Sequence, residues 1–176
     1  MQQAVIRDEA TRRLAPGAAA VRQEFLRLNR RRLRRTPPLT ALEHERWMDL
    51  RWQIEEMLGG TRPGTHEGPP RKSLRVPSNL EVRYADPERE EISPARVIGE
   101  GGLFLATEEP LAVGTPLHLK LTGDSGKAVE IEGAVVWVRR RGEGPGPPGM
   151  GIQFEGLDDA RREAIAYLVE AALAAL

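Results

Sequence analysis

Past residue 70 the apolar residues of this chain change their spacing, and that change decides what its second half can become. Leu80, Val82 and Tyr84 alternate with polar neighbours, and Leu117, Leu119 and Leu121 alternate with His118 and Lys120. Residues two apart in an extended chain share a face, so each run predicts a strand with one face buried. Residues 92–98, 103–105, 129–138 and 150–154 read as further strands. Pro94 marks an edge or a bulge in one of them, because proline has no amide hydrogen for a ladder. Val129, Ile131, Gly133, Val135 and Trp137 share one face of the long strand, which places Trp137 in the core. Val136 and Val138 on its other face predict burial on both sides there. Six short strands joined by Gly- and Pro-rich turns predict an antiparallel barrel or sandwich. A helix follows, capped by Asp158 or Asp159, with Ile165, Leu168, Val169, Ala172 and Leu176 as its apolar stripe.

Before residue 60 the spacing is helical. Val21, Phe25 and Leu28 share a face of a helix over residues 18–35, which Thr36-Pro37-Pro38 ends. Thr40 followed by Glu43 is a capping box for a second helix over residues 42–58. Leu42, Leu50, Ile54 and Met57 form its stripe, Trp47 borders it, and Met48 and Trp52 point elsewhere. Two helices joined by a short proline turn read as an antiparallel hairpin. Met48 and Trp52 then offer a second contact surface, open between docking on the barrel and self-association. Residues 60–70 hold only turn formers and polar residues, and read as a linker. The expected organisation is an α+β chain: a helical hairpin over 1–59, a linker over 60–70, and a six-stranded barrel with its closing helix over 71–176.

Composition removes several function classes. Formal net charge is +0, so no global basic field draws nucleic acid. Arg30, Arg31, Arg32, Arg34 and Arg35 form one basic run. It reads either as a phosphate-binding patch or, preferred here, as a solvated helix end paired with Glu24, Glu43 or Glu45. There is no cysteine, and no apolar run reaches the roughly 20 residues of a membrane helix. The start of the chain has no signal-peptide core, so the expected location is cytoplasmic. His44, His66 and His118 lie in different elements and make no metal-binding pattern. No nucleophile elbow or phosphate-binding Walker loop occurs, so no enzyme is expected and no catalytic residue is assigned. Gly99-Glu100-Gly101-Gly102 resembles a phosphate loop, but a strand follows it where a helix would be needed; it reads as a tight turn between strands.

Arg71 and Arg75, four apart, precede the first strand, and Gly101-Gly102-Leu103-Phe104 follows about thirty residues on. This arrangement resembles the PilZ domain, the bacterial receptor module for cyclic di-GMP, whose motifs are RxxxR and (D/N)xSxxG. Arg71 and Arg75 match the first motif. The second aligns with residues 97–102, where only Gly102 matches; Val97 stands in the acidic or amide slot and Gly99 in the serine slot. The resemblance implies a six-stranded barrel with a C-terminal helix, and a cyclic di-GMP site on Arg71, Lys72, Arg75 and Gly102 with Val97 and Gly99 degenerate. Arginine suits such a ligand, since its planar fork meets phosphate oxygens or guanine O6 and N7. Valine accepts no hydrogen bond and glycine has no hydroxyl. The expected function is a non-catalytic signalling adaptor, with weak or lost ligand binding and no cofactor. It would act in motility, polarity or surface regulation through a protein partner or self-association of the N-terminal helices. The alternatives are a genuine cyclic di-GMP effector using Arg71 and Arg75, and a nucleic-acid binder using the arginine run.

Overall fold

A computed structural model describes residues 17–35, 37–59, 73–85, 90–123, 126–144 and 146–176. The segment read as a linker, together with Arg71 and Lys72, lies outside them. The chain divides into two compact units, one of which spans Arg75–Ala172.

Two helices come first, α1 (Ala18–Arg34) and α2 (Ala41–Met57). The capping box at the start of α2 is formed in both directions: the Glu43 amide donates to the Thr40 hydroxyl at 3.3 Å, and the Thr40 amide donates to the Glu43 carboxylate at 3.0 Å. The Thr40 amide, the Arg31 guanidinium and the Thr40 hydroxyl hold the Glu43 carboxyl below its ordinary pKa. The helices run antiparallel, since the ion pairs take reversed order along them: Glu24 pairs with Arg46, and Arg31, further along α1, with Glu43, earlier in α2. Between them Phe25 stacks on Trp47 at 6.1 Å, and the Trp47 indole donates to Asn29 Oδ1 at 3.1 Å. Trp47 is therefore part of the hairpin core and not its border, whereas Leu42, expected in the stripe, is 75% exposed. Eight residues at about 100° each turn Leu42 roughly 80° away from Leu50. The arginine run behaves as a helix end: Arg31, Arg32 and Arg34 occupy the last turn, and Arg32 lies over the Trp47 ring at 4.6 Å.

The second unit holds strands β1 (Arg75–Ala85), β2 (Glu90–Gly99), β3 (Gly102–Ala106), β4 (Pro116–Thr122), β5 (Ala128–Arg139) and β6 (Gly149–Glu155), then helix α3 (Asp159–Ala174). They close into a barrel in the order β1-β2-β3-β6-β5-β4, every pair antiparallel. The two halves of β1 differ. Glu81–Ala85 pairs with both β2 and β4, while Arg75–Pro77 and Leu80 pair only with β2. Alternation fills the interior as predicted: Val76, Val82, Tyr84, Leu117, Leu119, Leu121 and Ile131 are all buried. Burial, and the hydrogen bond it gives to Glu91, push the Tyr84 hydroxyl up to about 12. The Asp158 carboxylate accepts from the Arg161 amide at 2.7 Å and caps α3. Arg161 Nε also donates to the Glu130 carbonyl at 3.0 Å, tying the first turn of α3 to β5.

Pro94 pairs with Glu81 of β1 and lies before the first residue of β2 that pairs with β3, Ala95, so it sits in a stretch of β2 paired on one side only; the bulge falls just beyond it, where the pairing of β2 with β3 shifts register between Ala95 and Val97. A second shift, between Val135 and Trp137 of β5, overturns the expected place of Trp137. An extra residue in one strand reverses which face the following side chains take. Val135 points inward and is buried, but Val136 is 45% and Trp137 39% exposed, so the second half of β5 is not covered on both sides. Trp137→Ala is therefore expected to cost about 1–2 kcal/mol in chemical denaturation, for a lost ring contact and partial burial. A loss near the 3–5 kcal/mol typical of a core tryptophan, at roughly the upper end of large-to-small changes, would return Trp137 to the interior.

Candidate functional site on the outer face of the barrel

Cross-strand register assembles the site in rows. Arg75 lies beside Gly99, Gly99 beside Gly102, Gly102 beside Gln153, and Gln153 beside Ala134. The next row runs Pro77, Val97, Phe104, Gly151 and Trp137, and a third joins Ala106, Gly149 and Arg139. Both flanking inward positions, Val76 and Ile98, are buried, so Arg75, Val97 and Gly99 stand on the outward side of the pleat. The fold thus brings Arg75, Val97, Gly99 and Gly102 onto one face, within three neighbouring strands. Arg75 and Gln153 are exposed and Val97 is half-buried.

Glu100 and Gly101 make the two-residue connection between β2 and β3, the tight turn that the sequence predicts. Gly102 is required by packing: a Cβ there would lie 2.2 Å from the Ile152 carbonyl oxygen. Gly101 faces open space, and Gly99 is not among the glycines with positive φ.

Three residues of this face were missed in sequence. The Phe104 and Trp137 rings stack at 5.2 Å with planes 6° apart, and Arg139 lies over them at 5.0 and 5.7 Å. The stack exists because β6 offers no side chains beneath it. A Cβ on Gly151 would lie 1.9 Å from the Trp137 indole nitrogen, and one on Gly149 2.6 Å from Phe104 Cζ. Those glycines were the available signal: small residues alternating with buried apolar ones along a strand leave room for something large on the small face. Chemically, the face combines a cationic fork, a planar aromatic surface and the amide of Gln153. It lacks a side-chain acceptor at position 97 and a hydroxyl at position 99. Among the described residues no group of three or more His, Asp or Glu is placed to hold a metal ion. No described helix is long and apolar enough to cross a membrane.

Met48 and Trp52, named as a contact surface, are both half-buried on α2, where the Arg51 guanidinium lies 5.2 Å from the Trp52 ring.

A comparison with known families matches residues 69–171, which hold the whole barrel, to the PilZ domain. The chain belongs to the PilZ domain family. Among solved structures, the PilZ domain of YcgR from Escherichia coli, determined with cyclic di-GMP, is similar with a TM-score of 0.51 and 11% identity, over 59% of this chain and 92% of that one. The inhibitor of motility MotI (DgrA) of Bacillus subtilis is similar with a TM-score of 0.49 and 18% identity, over 65% of this chain and 55% of that one. The MrkH–cyclic di-GMP complex of K. pneumonia follows with 0.46 and 17%, over 57% and 51%. At 11% identity the likeness to the YcgR domain is one of fold. No curated protein matches the chain in sequence.

Proposed function

We propose that this chain is a non-catalytic, cytoplasmic signalling module of the cyclic di-GMP class whose ligand site is impaired, and which acts through protein contacts of its helical hairpin in motility, polarity or surface regulation. The observation that carries this reading is the outward position of Val97 and Gly99 beside Arg75 and Gly102. A guanine edge or phosphate brought to that face meets valine methyls and a bare backbone where the family motif offers an acceptor and a hydroxyl. A polar group desolvated without a partner costs about 1–3 kcal/mol. Two such losses, on the order of 2–6 kcal/mol, move a micromolar affinity toward millimolar.

A second reading, a genuine cyclic di-GMP effector using Arg71 and Arg75, draws support from the same face. Phe104, directly beside Val97, forms a flat surface with Trp137 and Arg139, and Gln153 supplies an amide next to Gly102. Isothermal calorimetry of the intact chain with cyclic di-GMP separates the two. The first reading expects no binding stronger than about a millimolar constant, equivalent to roughly 4 kcal/mol. Micromolar binding that Arg71→Ala or Arg75→Ala abolishes would sink it and establish the second.

A further inference from the structure

The two helices of the hairpin turn opposite charges to solvent. On α1 the residues pointing away from Phe25 and Leu28 are Arg27, Arg30 and Arg34, all exposed. On α2 the residues pointing away from Trp47, Leu50 and Ile54 are Glu45, Asp49 and Glu56, also exposed. The ridges share one spacing. Residues 23, 27, 30 and 34 step by four, three and four, as do 45, 49, 52 and 56. Each covers twelve residues, about 16 Å of helix. A shallow groove of about 400 Å³ runs along the basic ridge. The one apolar place on the acidic ridge belongs to Trp52, a residue type suited to interfaces.

We propose that a second copy of this chain docks head to tail on the hairpin, the basic ridge of α1 in one copy against the acidic ridge of α2 in the next. Like charges at three- and four-residue intervals repel on a single helix, and this contact offsets both ridges at once. A polyanion such as nucleic acid would meet only the basic ridge. The matched spacing and opposite sign of the second ridge favour another copy. Because the ridges lie on opposite sides of the hairpin, one copy cannot offer both to the same neighbour across a two-fold axis. The contact is therefore heterologous, and it closes into a ring or extends as a filament. The inference rests on the reading of the helical hairpin as the contact-making part, and it names that contact's chemistry.

Sedimentation velocity of the intact chain tests it. Association is expected at about 50 mM salt and weakened about tenfold or more at about 0.5 M, where screening shortens to a few ångströms. Arg27→Gln with Arg34→Gln, and separately Glu45→Gln with Glu56→Gln, should each give a monomer. Mixed together, the two variants should form a 1:1 pair that grows no further, because each keeps only one ridge. Association that persists at high salt and in both variants would overturn the ridge contact and leave a self-contact through Met48 and Trp52 standing. A wild type that is monomeric at low salt would overturn it as well. Salt-steep binding of a DNA duplex by that monomer, lost in Arg27→Gln/Arg34→Gln, would assign the basic ridge to nucleic acid instead.

Discussion

Replacing Val97 by Asp together with Gly99 by Ser is expected to raise the affinity for cyclic di-GMP by tens to thousands of fold, about 2–6 kcal/mol at tenfold per 1.4 kcal/mol. Both positions stand on the outward side of β2, in the same cross-strand rows as Arg75, Gly102 and Phe104. A carboxylate at position 97 would accept hydrogen bonds from a guanine edge, and bonds to a charged acceptor are the stronger kind. Serine at position 99 meets no backbone objection, since Gly99 does not adopt a positive φ. Gly99 is buried, however, so the hydroxyl must fit among its neighbours, and most of the gain is expected from Val97→Asp alone. Calorimetry on wild type, the single variant and the pair checks this, with thermal melting to confirm that all three are folded. Folded variants that bind no better than wild type would show that positions 97 and 99 are not what limits the site.

Gly102→Val is expected to destabilise the barrel by about 3 kcal/mol, the upper end of overpacking costs, or more. Its Cβ would fall 2.2 Å from the Ile152 carbonyl oxygen, and a main-chain atom in a closed ladder cannot swing aside. Gly101→Val is the control: nothing lies within 4 Å of a Cβ there, so a change within about 0.5 kcal/mol is expected, as for an ordinary surface site. Equal losses at the two positions in urea unfolding would mean that the sensitivity comes from the turn and not from the approach of β6. The glycine of the family motif thus has a structural reason that holds whether or not a ligand binds.

The alternating runs, the terminal helix and the capping box were legible in the chain because each is set by residues within a few positions of one another. Leu117, Leu119 and Leu121 could face only one way, and Thr40 with Glu43 could cap only one helix. Trp137 was misplaced because its facing depends on a register shift, and a shift is a relation between β5 and β6 that β5 does not carry alone. The aromatic stack with Arg139 was invisible for the same reason: Phe104 and Trp137 meet across a strand whose glycines speak only when the strand order is known. Leu42 failed for a local reason, the drift of a helical stripe over eight residues.

The unequal halves of β1 bear on how the barrel can yield. Opening the stretch from Arg75 to Leu80 breaks hydrogen bonds to β2 alone, whereas opening Glu81–Ala85 breaks two seams. Local opening draws on the least-supported ladder first. Arg75 therefore sits on a hem stitched along one side only, and a pull applied there unpicks the leading edge of β1 while the rest of the cylinder stays sewn.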